Sequence, residues 1–418
     1  MSETRLFGCE SLRAVGCGKA AGGNPLQSPH SIMFPSFCRR RFLLRIPGEV
    51  TNLLQSIHGA HSSYSSTAGS RVPSSELCPA TVSYLISSGL SPAAAATTAT
   101  TQRIRIVSPD KADAVRALLR DYGFADADIV RTVRSAPSIL VNDPERILRP
   151  KLDFFAALRF EPRKLATAPC LLVHSLEKNI VPSIQFIRGI VGSDDQLRRG
   201  FSRVPWALAV DVDRSMRPAV EALRRCGLAD AAISKLLVIQ MGVLMTSPDR
   251  ISEIFQELKA VGMCTSDSRF LYCFSAMCSL KRGAWRRKLA FFQSFGLSEG
   301  EVIKAFKTQP MLFLSSDETI KKKLRFLLDE VKLGVSDVIA QPVILAYSLE
   351  NCILPRCAVL SVLMKEGKIR RDIKLLPALL GSSTVFSTRY VVRHADHVPD
   401  VVKAYEGKIK FQGFRHDT

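Results

Sequence analysis

The chain has 418 residues, 46% of them apolar, which is enough to bury a large core and excludes a wholly disordered protein. Lys and Arg outnumber Asp and Glu by 58 to 38, a net charge of +20 that points to a polyanionic partner, either nucleic acid or an anionic membrane surface. Eleven cysteines, an odd number without a CxxC pair, exclude a disulfide framework and a zinc ribbon, and no apolar run reaches the roughly 18 to 20 residues that cross a bilayer.

Residues 1–100 differ in composition from the rest. They contain no Asp, and their only acids are Glu3, Glu10, Glu49 and Glu76. From Met33, Arg39, Arg40, Arg41 and Arg45 alternate with Phe42, Leu43 and Leu44, and a Ser-rich stretch follows. An Arg-rich, acid-poor amphipathic beginning predicts an organellar transit peptide and disordered linker over 1–100, with the functional start at Met33. A mitochondrial address is preferred to a plastid one. These hundred residues hold eight basic and four acidic side chains, so the remainder keeps an excess of 16 positive charges and is basic in its own right.

From residue 101 to about 395 the prolines keep time. Pro137, Pro169, Pro205, Pro310, Pro342 and Pro377 recur at one phase, with Met241 and Ser275 filling the gap, at intervals of 32 to 36 residues. A second series runs 13 residues behind: Pro150, Pro182, Pro218, Ile254, Lys288, Lys323 and Pro355. Within a unit, Gly123-Phe124-Ala125-Asp126 predicts a helix end and a new cap, and Ile129, Val130 and Val133 follow at helical spacing. The same turn recurs at Gly227, Gly296 and Gly334. Proline then stops that helix, a short apolar piece such as Ile139-Leu140-Val141 follows, and Asp143-Pro144 opens another helix that Pro150 kinks or restarts. Each unit is two helices and a short turn, and a single unit cannot bury its apolar face. The expected fold is an all-α solenoid of about eight stacked repeats of 32–36 residues, with residues 396–418 as a C-terminal tail.

These units resemble the repeat of the mitochondrial transcription termination factor (mTERF) family. The matching stretches are APSILVNDPERILRPKLDFF (Ala136–Phe155), APCLLVHSLEKNIVPSIQFI (Ala168–Ile187), QPMLFLSSDETIKKKLRFL (Gln309–Leu327) and QPVILAYSLENCILPRCAVL (Gln341–Leu360), with LPALLGSSTVFSTRYVV (Leu376–Val392) as a closing unit. The fifth unit, FSAMCSLKRGAWRRKLAFF (Phe274–Phe292), lacks both prolines. The resemblance covers about two thirds of the chain and is nearest to the large land-plant set. It implies a left-handed superhelix with a basic groove, acting without catalysis on organellar nucleic acid in transcription, its termination, or RNA processing.

A groove that follows a phosphate backbone needs cations at matching phases of successive units. Ahead of the first proline lie Arg131, Arg134, Arg203, Lys304 and Lys307. Around the second lie Arg149, Lys151, Arg217, Arg286, Arg287, Lys288, Lys321, Lys322, Lys323 and Arg325, and Arg389 and Arg393 close the series. The aromatics Phe154, Phe155, Phe186, Phe291, Phe292 and Phe326 fall at the core phase, leaving Trp285 as the candidate for base stacking. That shortage of stacking platforms favours duplex DNA, with single-stranded RNA and an acidic protein partner as the alternatives.

Catalytic motifs are weak. Gly296-Leu297-Ser298-Glu299-Gly300 fits the nucleophile elbow in letters, but Ser298 and Glu301 make a helix capping box. His394-Ala395-Asp396-His397 lacks the partners of a metal site. No catalytic residue, metal or cofactor is expected, the protein is expected to be a monomer, and its partners are organellar DNA or RNA with the transcription or processing machinery.

Overall fold

The computed structural model describes residues 78–101, 104–106 and 108–414, and all regular structure among them is helical. The Arg-rich segment following Met33 lies outside the described residues. One hydrophobic core runs from Leu85 to Ala404, unit packed on unit. A unit consists of a first helix, a short tight turn, and a second helix. Asp126–Ser135, Pro137–Val141 and Arg149–Ala157 form one; Asp194–Phe201, Pro205–Ala209 and Arg217–Arg225 form another.

The first proline series does its work one residue early. At Pro137, Pro205, Pro310 and Pro342 the residue before the proline is pushed out of the helical region, as at Ala136 (φ −143°, ψ 69°) and Gln309 (φ −138°, ψ 70°), and the proline opens a short 3-10 turn, whereas Pro377 sits within Leu375–Leu379. Gln240 adopts the same conformation (φ −148°, ψ 80°) before Met241, so neighbouring units impose it where proline is missing. The fifth unit breaks the pattern. Its helix Phe270–Ser279 runs unbroken through Ser275, and its next helix, Ala284–Gln293, starts at Gly283 (φ +73°) without a side-chain cap.

Elsewhere the second helix has a regular cap that most of the sequence reading overlooked. Asp143, Ser175, Asp211, Ser247, Ser316, Ser348 and Ser382 each accept an N–H of the following turn. The prolines of the second series stand in the first turn of an α-helix that restarts one residue earlier, at Arg149, Val181, Arg217 and Leu354, after a π turn. Where proline follows, the cap carbonyl accepts an N–H five residues on in addition to the one four residues on: Leu148 to Asp143, Ile180 to Ser175, Met216 to Asp211 and Ile353 to Ser348, at 3.0–3.2 Å. Where it does not, the bond is the ordinary four-residue one, Ile251 to Ser247 and Ile320 to Ser316 at 3.0 and 3.1 Å. The widened π turn gives the pyrrolidine ring room and absorbs its missing N–H, at a cost of one extra residue.

The glycine turns also differ in detail from expectation. Gly123, Gly227 and Gly296 are left-handed, but at Gly334 the left-handed position passes to Lys332 (φ 62°). Asp126 and Asp230 do not cap; they occupy the first helical position and pair with Arg120 and Arg224 of the preceding helix at 2.9 and 2.8 Å.

Helices also stand beyond both ends of the expected repeat region. Residues Pro79–Ser87 and Pro92–Thr101, assigned to the leader and linker, are helices whose Leu85 and Ala95, with Leu90 of the turn between them, are buried in the common core, and the Ile106 N–H donates to Thr81 Oγ1 at 3.0 Å. At the other end Asp400–Tyr405 packs along Leu354–Lys365 through Val401 and Ala404, and Phe411 meets Phe326 edge-on. Alternate apolar positions in so short a helix give too little periodicity to be read without the partner surface.

Candidate nucleic-acid interface

The cations of the second helices divide by burial. Lys151, Lys288 and Lys323 are 5%, 8% and 9% exposed, so three residues expected in the groove point into the fold. Each reaches across to the next unit. Lys151 Nζ donates to the Leu172 carbonyl at 2.7 Å, Lys323 Nζ to Leu345 at 2.6 Å, and Lys288 Nζ to Ser315 at 2.5 Å and to Asp317. Arg356, which the sequence reading passed over, is 2% exposed and donates to the Leu379 carbonyl at 2.6 Å. Ser183 Oγ makes the corresponding bond to Val210 at 3.0 Å. The acceptors close the short turn of the following unit, so this column ties each unit to the next by satisfying carbonyls that would otherwise be buried unpaired. Burial pulls the Lys151 ammonium down to about 8.

The one-residue π insertion explains why phase alone misleads. The inward position is eight residues past the cap in units with the wide turn, at Lys151, Ser183 and Arg356, and seven past it at Lys323.

Several remaining second-helix cations face acids two residues past a cap. Arg149 pairs with Glu145, Arg217 with Asp213 at 3.2 Å, and Lys322 with Glu350 at 2.6 Å. Those pairings hold the Glu145 and Glu350 carboxyls below their ordinary values. Arg286, Arg287 and Arg325 are exposed, and Lys321 is half-buried. At the C-terminal end Arg389 lies over the Tyr390 ring, 5.2 Å from its centroid, and Arg393 is exposed. Beside it, burial first and then the Arg393, Lys368 and His397 charges lower the His394 imidazole.

The first helices present a different picture. Counted six residues ahead of the first proline phase stand Arg131, Arg163, Arg199, Lys235, Arg269 and Lys304, then Ser336, then Arg371. Arg269 is half-buried, and the other cations are exposed. Arg131, Arg199, Lys235 and Lys304 are each the sixth residue past the N-cap of their helix, so they leave it from the same face. Only Arg131 and Lys304 belong to the set expected from sequence; the others become legible when units are stacked on the first proline. Arg134, Arg203 and Lys307 flank the row and donate to helix-end carbonyls of other units: Gly89 at 3.2 Å, Val238 at 2.8 Å and Gly262 at 3.2 Å. Such bonds hold the flanking cations at helix C-termini, where the dipole favours them. Within the row, Arg131 pairs at 2.7 Å with Asp128, whose carboxylate is buried, and Arg199 lies 3.9 Å from Asp195 at a site open enough for little net stabilisation.

Trp285 is a core residue. It is 9% exposed and packs against Phe306 and Phe313 with centroids 4.7 and 5.7 Å away, which removes the candidate stacking platform. Ser298 accepts the Glu301 N–H while Glu301 accepts the Ser298 N–H at 2.9 Å, a complete capping box in place of a nucleophile elbow. Among the described residues no group of three or more His, Cys, Asp or Glu is placed to hold a metal.

Comparison with known proteins matches the mTERF family model over residues 101–189 and 183–386. The chain is 23% identical over 226 residues to "Transcription termination factor MTERF8, chloroplastic" of Arabidopsis thaliana, covering 53% of this chain and 45% of that protein. It is 21% identical over 299 residues to "Transcription termination factor MTERF15, mitochondrial" of the same plant, covering 69% of this chain and 57% of that one. The chain thus spans about half the length of the curated relatives it matches. With a recurring two-helix unit, its proline phases and a family match running almost continuously from residue 101 to residue 386, the chain belongs to the mTERF family.

Proposed function

We propose that this chain binds organellar duplex DNA without catalysis, through the exposed cations of its first helices, and thereby regulates or terminates transcription. The observation that carries the reading is the first-helix row, one exposed or half-exposed cation per unit from Arg131 to Lys304. Regularly spaced cations on a stacked array suit a regularly spaced polyanion better than a protein with scattered acids. The printed names of both relatives describe transcription termination factors, one chloroplastic and one mitochondrial. Duplex DNA is preferred to single-stranded RNA because the ring clusters of Phe270 with Phe274 and of Phe306 with Phe313 are spent in the core. A left-handed superhelix of about eight repeats, acting as a monomer, completes the proposal. The Arg-rich segment from Met33 directs it to the mitochondrion.

The test is a salt-titrated binding assay of the full chain with organellar duplex DNA and length-matched single-stranded RNA. Tight, salt-sensitive duplex binding is the expected result. Clear preference for RNA would move the function to splicing or RNA processing, and absence of both would assign the basic surface to a protein partner. Import of the tagged chain into isolated mitochondria and chloroplasts tests the address.

A further inference from the structure

The spacing of the first-helix row sets a length. Neighbouring first helices touch: Asp194–Phe201 packs on Asp230–Ile239, which packs on Phe270–Ser279. Phe160 of the preceding unit stacks on Phe201 with centroids 3.9 Å apart, and Arg269 donates to the Thr308 carbonyl at the end of Glu299–Thr308. The cations from Arg163 to Lys304 therefore advance one packed helix at a time, and Arg131 stands at the same phase one repeat ahead of them. Packed helices stand about 8–10 Å apart, so five steps span about 40–50 Å. The row then stops. Ser336 occupies the next position, and Arg371 follows a further unit away, ahead of its helix Leu375–Leu379 rather than on it.

We propose that this row is a ruler that lays one cation against the phosphate edge of a duplex about every three base pairs and ends its contact after about 12–15 base pairs. The figure follows from a rise of about 3.4 Å per base pair set against the helix spacing. It rests on the duplex reading above and adds to it a contact length, a defined end at Ser336 and a charge count. Six backbone contacts correspond to a slope of log affinity against log salt of about −5. Lys178 and Arg214 are exposed on the first turn of second helices, each next to an acid, Glu177 and Asp213, and they contribute no step of the ruler.

The experiment uses the full chain and labelled duplexes of mixed sequence from 8 to 30 base pairs, at several salt concentrations, with affinities corrected for the number of overlapping sites. Affinity is expected to climb with length and flatten near 15 base pairs, with a salt slope near −5 for a 16-base-pair duplex. Lys235→Ala should make that slope shallower by about 0.9, while Lys178→Ala leaves it unchanged. A rise continuing to 30 base pairs, a plateau at 8, or equal slope changes in the two variants would overturn the ruler while leaving duplex binding in place. No duplex binding at all would overturn the ruler and the functional reading together.

Discussion

Lys323 and Lys235 are both lysines on amphipathic helices of the same array, yet they have opposite fates. The second-helix column turns inward, where Lys151, Lys288, Lys323 and Arg356 lose solvent and spend their N–H groups on carbonyls of the next unit. The first-helix row stays at the surface, where Lys235 and Lys304 are exposed. The contrast teaches that a charge repeating with the period of a solenoid has two physical uses. Stacked units need polar staples between them as much as a ligand needs cations along them, and periodicity alone does not separate the two.

The comparison breaks most visibly at Arg356. Arg356→Ala removes a buried donor to the Leu379 carbonyl and the stack over Phe386 at 4.9 Å, and should cost about 3 kcal/mol in denaturant unfolding. Its effect on DNA affinity, measured where the variant is still folded, should be negligible. Lys151 sharpens the same point through pH. Its folded value of about 8 lies below the ordinary lysine value of about 10.4, so between these limits the unfolded chain binds the extra proton. The contribution of Lys151 to stability is therefore lowest below pH 8 and rises as pH climbs towards 10. Thermal melts of the protein and of Lys151→Met across that range should show their difference moving in favour of the native lysine.

Smaller effects are expected at the caps. Ser316→Ala removes the acceptor for the Thr319 N–H and should cost about 1 kcal/mol, whereas Gly283→Ser in the capless fifth unit should not stabilise, because its backbone is left-handed. Chemical denaturation of the two variants, with the wild type as reference, checks both signs.

The sequence made the larger architecture legible because proline and apolar phase are strong, local signals. Pro137, Pro205 and Pro342 open short turns, and of the expected core aromatics Phe155 and Phe292 are buried while Phe154, Phe186, Phe291 and Phe326 pack partly buried against the same core. What stayed illegible depended on single-residue offsets. A π turn before Pro150 moves Lys151 to the inward face, an offset that follows from the proline's local geometry and not from the repeat period. The row through Arg163, Arg199 and Lys235 was obscured for the opposite reason: its members are solitary, and dense clusters such as Lys321-Lys322-Lys323 drew attention to helices where one cation is buried and another is paired. Trp285 between cations read as a surface ring, but the fifth unit turns it towards Phe306.

The central claim is that binding resides in the first-helix row and cohesion in the second-helix column. It is tested most directly by measuring duplex DNA affinity for Arg199→Glu/Lys235→Glu beside Lys151→Met/Lys323→Met, at a temperature where melts show both folded. The account predicts that the first variant loses more than tenfold in affinity with an unchanged melting temperature, and that the second melts earlier but binds as the wild type does. Equal affinity losses in the two, or a loss confined to the buried pair, would contradict it.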